Sequence, residues 1–377
     1  AYIAALKLKN DWEEAGRVLK ELADALGTYE AIGEYAEFAH RQNQYAEAET
    51  YYNLCKDKIA VLVKTNPEVY EYRLAAICNN LGLIYNDTQR FIESEKMYKD
   101  ALEIGKRLAD ANPQANEPDL AVSYINLANL YRITQRFTES EQMHKAALEI
   151  YKRLAESNPQ AYEPDLAVSY NNLAVLYDDT QRFAESEQMH KAALEIRKRL
   201  ADANPQAYEP YLAGSYNNLA LLYSDTQRFA ESEQMHKAVL EIRKRLADAN
   251  PQAYEPDLAK SYNNLAILYR ATQRFTESEQ MYKEAIAIFK RLAETNPQAY
   301  EPYLAQSYNN LSLLYDDTQR FAESEQMHKA ALEIRKRLAD ANPQAYEPDL
   351  ATSYNNLAIL YRATQRFTES EQMYKEA

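Results

Sequence analysis

The chain has 377 residues and only 6 glycines, where average usage of ~7% would give roughly 26. So few turn and left-handed positions exclude sandwiches, barrels and glycine-rich phosphate loops. A net charge of −14 with a pI near 5.0 argues against nucleic acid or an acidic membrane as partner, and two cysteines cannot staple a disulfide scaffold, so a reducing, cytoplasmic setting is expected.

No apolar run approaches the ~20 residues of a membrane span, and no basic-then-apolar leader opens the chain. All 13 prolines fall in Asn-Pro or Glu-Pro dipeptides. Helix-favouring residues fill the space between them, which predicts an all-α chain.

In chain order, residues 1–28 read as a degenerate helix pair that closes on Leu26-Gly27, with Trp12 near an aromatic turn position. From residue 29 a period of 46 takes over, with units 29–74, 75–120, 121–166, 167–212, 213–258, 259–304 and 305–350 and a truncated eighth, 351–377. The threonine of a Thr-Gln-Arg-Phe turn stands at 88, 134, 180, 226, 272, 318 and 364, with Asn43-Gln44-Tyr45 as a degenerate earlier copy. Residues 178–210 and 316–348 are identical. Such a period means stacked supersecondary units rather than independent domains. The last unit stops inside its second helix at Ala377, which suggests a piece of a longer protein.

One unit shows the plan. Pro164 is expected at the first position of helix A, whose apolar face is Tyr170, Leu173, Ala174 and Tyr177. Thr180-Gln181-Arg182 breaks the pattern. Helix B runs from about Phe183 to Ala203 with Phe183, Met189, Ala193, Leu194 and Leu200 inward, and ends at Asn204-Pro205. The segment Gln206 to Glu209 then links to the next unit.

Candidate chemistry is thin. His144, His190, His236 and His328 share one repeat position with Tyr52, Tyr98, Tyr282 and Tyr374, which reads as a half-buried ring column rather than a metal site. Cys55 and Cys78 stand at core positions and read as buried thiols. Glu185-Ser186-Glu187 recurs as a solvated face. There is no Walker loop, dinucleotide fingerprint or nucleophile triad. Neither an enzyme nor a cofactor is expected.

The series Tyr170, Leu173-Ala174, Tyr177, Ser186, His190, Ala193 resembles the tetratricopeptide repeat. The run Asn171 to Tyr177 with Phe183-x-Glu185-Ser186-Glu187 looks most like the longer repeats of kinesin light chains and their bacterial relatives. The resemblance covers residues 29–377 and implies a right-handed superhelical solenoid of antiparallel helix pairs that holds cargo peptides in a concave groove. Lys198 stands where the family's helix-ending proline belongs, and helix B is longer, so the superhelical pitch is open.

With Leu173 as helix A position 7, positions 4, 7, 8 and 11 face the core and 2, 6, 9 and 13 the opposite, inner wall. Position 6 is asparagine at Asn80, Asn126, Asn172, Asn218, Asn264, Asn310 and Asn356. A primary amide both donates and accepts, so a column of them can track a peptide backbone of any sequence. Position 5 is also asparagine (Asn171, Asn217, Asn263, Asn309, Asn355), so one of the two columns is expected to bond neighbouring helices. Position 9 gives an apolar stripe, Val175, Leu221, Ile267 and Leu313. Lys260 varies position 2, and Arg132, Asp178, Arg270 and Asp316 alternate in charge at position 12. The expected function is a protein-interaction module that binds a partner protein or extended peptide through this asparagine ladder, without nucleic acid or membrane. Alternatives are the sensor or regulatory arm of a larger enzyme, a protease or nucleotide-hydrolysing switch with catalysis outside this segment, and a spacer or oligomerisation scaffold.

Overall fold

A computed structural model describes residues 12–377, so the first member of the N-terminal helix pair lies outside the described residues. Among the described residues every regular element is an α-helix. α1 (Trp12–Leu26), α2 (Tyr29–Arg41) and α3 (Tyr45–Thr65) lead into alternating A and B helices of 21 residues each: α4 (Pro67–Asp87), α5 (Phe91–Ala111), α6 (Pro113–Ile133), α7 (Phe137–Ser157), α8 (Pro159–Asp179), α9 (Phe183–Ala203), α10 (Pro205–Asp225), α11 (Phe229–Ala249), α12 (Pro251–Ala271), α13 (Phe275–Thr295), α14 (Pro297–Asp317), α15 (Phe321–Ala341) and α16 (Pro343–Ala363). The short α17 (Phe367–Glu376) follows. The chain divides into two compact units, residues up to Ile196 and from Arg197 onward. Consecutive helices pack on one another from α1 through α8 in the first and from α10 through α17 in the second, the arrangement of stacked helix pairs with a period of about 46 residues.

The A helices start five residues earlier than expected. Pro159, not Pro164, is the first residue of α8, and Pro164 lies inside it. The reason is Asn158, which serves two helices. Its backbone N–H donates to Leu154 O to close α7, and its side-chain oxygen accepts from the Ala161 N–H at 3.3 Å to open α8. The stretch read as a link, Gln206 to Glu209 in the following repeat, is therefore the first turn of the next helix, and one asparagine separates B from A.

The other turn ends helix A by a Schellman motif. Gln181 takes φ 57°, and the Arg182 N–H donates to Tyr177 O at 2.8 Å. Equivalent glutamines hold φ between 57° and 62° in every later repeat. The core follows the A-face reading: Leu173, Ala174 and Tyr177 are buried, as are Ala193 and Leu194 on helix B. Ser140 Oγ donates to Ala128 O at 2.8 Å, a buried bond between the two helices of that pair.

Two expectations about helix B change. The ring column is fully buried, not half-buried, at Tyr52, Tyr98, His144, His190, His236, Tyr282 and His328, because it points between its own A helix and the neighbouring pair. The outer glutamate of Glu-Ser-Glu is not merely solvated. Glu141 accepts from Arg182 at 2.7 Å, from the Tyr177 hydroxyl at 3.0 Å and from Lys145 at 2.8 Å, and Arg182 lies over the Tyr177 ring at 4.2 Å. The same clamp joins Arg136 to Glu95 in the first unit and Arg274 to Glu233, Arg320 to Glu279 and Arg366 to Glu325 in the second. Burial works against ionisation of Glu141, but the bonds from Arg182, Lys145 and Tyr177 outweigh it and hold its carboxyl at about 2. Ser186 itself is buried. The thiols of Cys55 and Cys78 are buried, and burial pushes both up to about 11.

Candidate functional site

The two asparagine columns are tied to each other. In the first unit Asn126 Nδ2 donates to Asn79 Oδ1 at 3.4 Å, while Asn79 Nδ2 donates to Ser123 Oγ of the next A helix at 2.9 Å. In the second unit Asn264 donates to Asn217 at 3.2 Å and Asn356 to Asn309 at 2.8 Å. Position 5 thus sets the spacing between successive A helices. At Asn126, Asn264 and Asn356 position 6 uses one amide proton for that bond, and a primary amide carries a second proton and an acceptor oxygen besides. Asn310 takes a bond within its own helix, from Gln306 at 3.0 Å.

Apolar residues flank the amides. At position 9, Leu221, Ile267 and Ile359 are exposed, Ile267 at 49%, while Val175 and Leu313 are half-buried. Val122 and Val168 at position 2 are exposed as well.

The position 12 charges differ from expectation, because each has a partner within the chain. Arg132 meets Asp179 at 2.6 Å and Arg270 meets Asp317 at 2.5 Å, both on the following A helix. Asp178 and Asp316 face His190 and His328 of their own pairs at 3.2 Å. Lys260 lies 3.4 Å from Asp257 and 4.8 Å over the Tyr303 ring. Arg132 and Arg270 are thus charge-paired, while Asp178 and Asp316 each use one carboxylate oxygen on a buried histidine.

Four of the expected residues share a cleft in the first unit, beside Ile133. Asn126, Arg132, Ile133, Asn172 and Val175 line a single cleft of about 450 Å3. It joins position 6 of two consecutive repeats to positions 9, 12 and 13 of the wall. Sequence reading expected one asparagine column to bond neighbouring helices without saying which, and the inter-repeat bonds fall to position 5. Their one visible signal is the serine that stands at position 3 in every repeat from Ser123 onward.

The tetratricopeptide repeat family model matches residues 73–153, 119–199, 211–291, 257–337 and 303–377. No curated protein matches the chain. Among solved structures, the chain is similar to BtubC (BKLC) from P. vanneervenii, with 26% identity over 64% of this chain and 89% of that one and a TM-score of 0.52. It is also similar to a Signal Transduction ATPase with Numerous Domains with a tetratricopeptide repeat sensor from Pyrococcus horikoshii, at 15% identity over 97% of this chain and 52% of that one, TM-score 0.58. Aspartyl phosphate phosphatase F from Bacillus subtilis aligns at 13% identity over 100% of this chain and 91% of that one, TM-score 0.56. At their identities the last two show the fold alone. No helix among the described residues is long and apolar enough to cross a membrane.

Proposed function

The chain belongs to the tetratricopeptide repeat family, and we propose that its A-helix wall binds an extended segment of a partner protein. Repeats of this family are generally protein–protein interaction modules. The observation that carries the reading is the cleft that gathers Asn126, Asn172 and Val175. An extended segment laid there meets the primary amides of Asn126 and Asn172, and the stripe at position 9 takes its apolar side chains. Selectivity then rests on the exposed residues at positions 2 and 9 more than on the paired charges at position 12. The partner is a protein segment in the cytoplasm, with no cofactor in the interaction.

Photo-crosslinking in the native host tests this. A benzophenone amino acid is placed at Val175, Leu221 or Ile267, and separately at Gln188 or Glu195, which are exposed on helix B. The expected result is one common partner segment linked from the three A-helix positions and not from helix B. Equal capture from both faces, or capture from helix B alone, contradicts the proposal.

A further inference from the structure

The fifteenth residue of helix B changes from repeat to repeat: Gly105, Tyr151, Arg197, Arg243, Phe289, Arg335. In the second unit the arginines are held the same way. Arg243 Nη1 donates to Ser261 Oγ at 2.7 Å and to Asp257 O at 3.0 Å, and Arg335 Nη1 to Ser353 Oγ at 2.7 Å and Asp349 O at 3.1 Å. Arg197 uses Ser215 Oγ and Tyr211 O. Arg335 is only 4% exposed, so this fold accommodates a guanidinium almost out of water. Phe289 is handled differently: its ring stacks on Tyr303 at 5.5 Å, and Ser307 receives Asn263 instead.

Gly105 has no side chain to place there, and a cleft of about 430 Å3 opens beside it, lined by Ala76, Asn79, Asn80, Asp119 and Ser123. Asp119 and Ser123 are the counterparts of Asp257 with Ser261 and of Asp349 with Ser353, the pairs that hold arginine. Space is not the obstacle, since a Cβ at Gly105 would lie 3.4 Å from Leu120 Cδ1, an ordinary contact. The repeat keeps the acceptors of an arginine and lacks the arginine.

We infer that this cleft is a socket for an arginine side chain carried by the bound segment. Its guanidinium donates to Ser123 Oγ and the Asp119 carbonyl, its stem packs along Ala76, and the Asp119 carboxylate and the net charge of −14 favour a basic ligand. Entry requires Asn79 to release Ser123. The arginine repeats show the exchanged state, in which Asn217 and Asn309 accept from Asn264 and Asn356 while the serine takes the guanidinium. In the aromatic repeats the serine depends on the position 5 amide: Ser307 receives Asn263 in the Phe289 repeat, whereas Ser169, in the Tyr151 repeat, has no partner where Ile125 stands in place of that asparagine. The inference rests on the A-helix wall being the partner-binding surface, and it specifies one side chain of what binds.

The test uses saturation-transfer NMR titrations of the capped peptide Ac-Ser-Gly-Arg-Gly-Ser-NH2 and its citrulline and phenylalanine counterparts, on the full chain. The arginine peptide is expected to bind at least fivefold tighter than either counterpart. That preference should vanish in Gly105→Arg, where the chain supplies its own guanidinium, and in Ala76→Trp, which blocks the mouth from an exposed position, with unchanged circular dichroism confirming the fold. It should persist when Asn172, Asn218 and Asn264 are all alanine, so that failure of the asparagine ladder is read separately. Equal or tighter binding of the phenylalanine peptide, or an arginine preference that survives both blocking variants, overturns the socket.

Discussion

Both ring nitrogens of His144 are buried without a partner, and burial, helped by the Arg132 charge, pushes its pKa down to about 4. His190 and His328, at the same repeat position, instead face Asp178 and Asp316. The residue at position 12 therefore decides what each ring meets. That variation is visible in the sequence, where it reads as ligand selectivity; which partner it serves depends on packing that no periodicity reveals. His144 is neutral when folded and takes up a proton near 6.5 when unfolded, so its contribution is complete above 6.5 and is lost as pH falls toward 4. Tyr282 already occupies this position beside Arg270 without a bond to its hydroxyl. His144→Tyr should fold normally and melt less steeply with acid between pH 6.5 and 4 than the parent, as followed by thermal melts across that range. An unchanged pH slope would show that His144 does not titrate as its burial requires.

At the scale of the element, the period, the B helices and the A-face residues Leu173, Ala174 and Tyr177 were legible because hydrophobic spacing encodes them directly. The start of helix A was not. Glu163-Pro164 carries the acidic-then-proline signal of a helix start, yet Asn158-Pro159 holds the cap and Pro164 sits within α8. Two proline signals five residues apart compete, and the one with a side-chain acceptor defines the boundary. The opposite turn depends on glutamine in the left-handed region, which an L side chain adopts at a cost of roughly 1–2 kcal/mol. Gln273, at φ 59°, is a direct test. Gln273→Gly should stabilise the chain by about 0.5–1 kcal/mol after the extra chain entropy of glycine is counted, seen as a higher urea midpoint with unchanged slope. A lower midpoint would mean that the glutamine side chain holds the turn.

Across the whole molecule, stability is distributed repeat by repeat, through interfaces such as the glutamate clamps and the position 5 amides. The binding wall proposed above draws on what those interfaces leave over: position 6 amides such as Asn126 and Asn264 and the exposed apolar residues at positions 2 and 9. The sequence shows both asparagine columns but not their division of labour, because the two differ only by the 100° turn of the helix between them. The central claim is that the outward side of the position 6 column holds the partner's backbone. Calorimetry with the crosslinked partner segment, comparing the parent with a variant in which Asn172, Asn218 and Asn264 are alanine, measures it directly. An Asn217→Ala, Asn263→Ala variant, which removes spacing amides at position 5, is the control. At about 1 kcal/mol for each bond, the triple variant should lose about 3 kcal/mol, on the order of a hundredfold in Kd, and the control less than a fifth of that. Equal affinity of the triple variant and the parent would contradict the account.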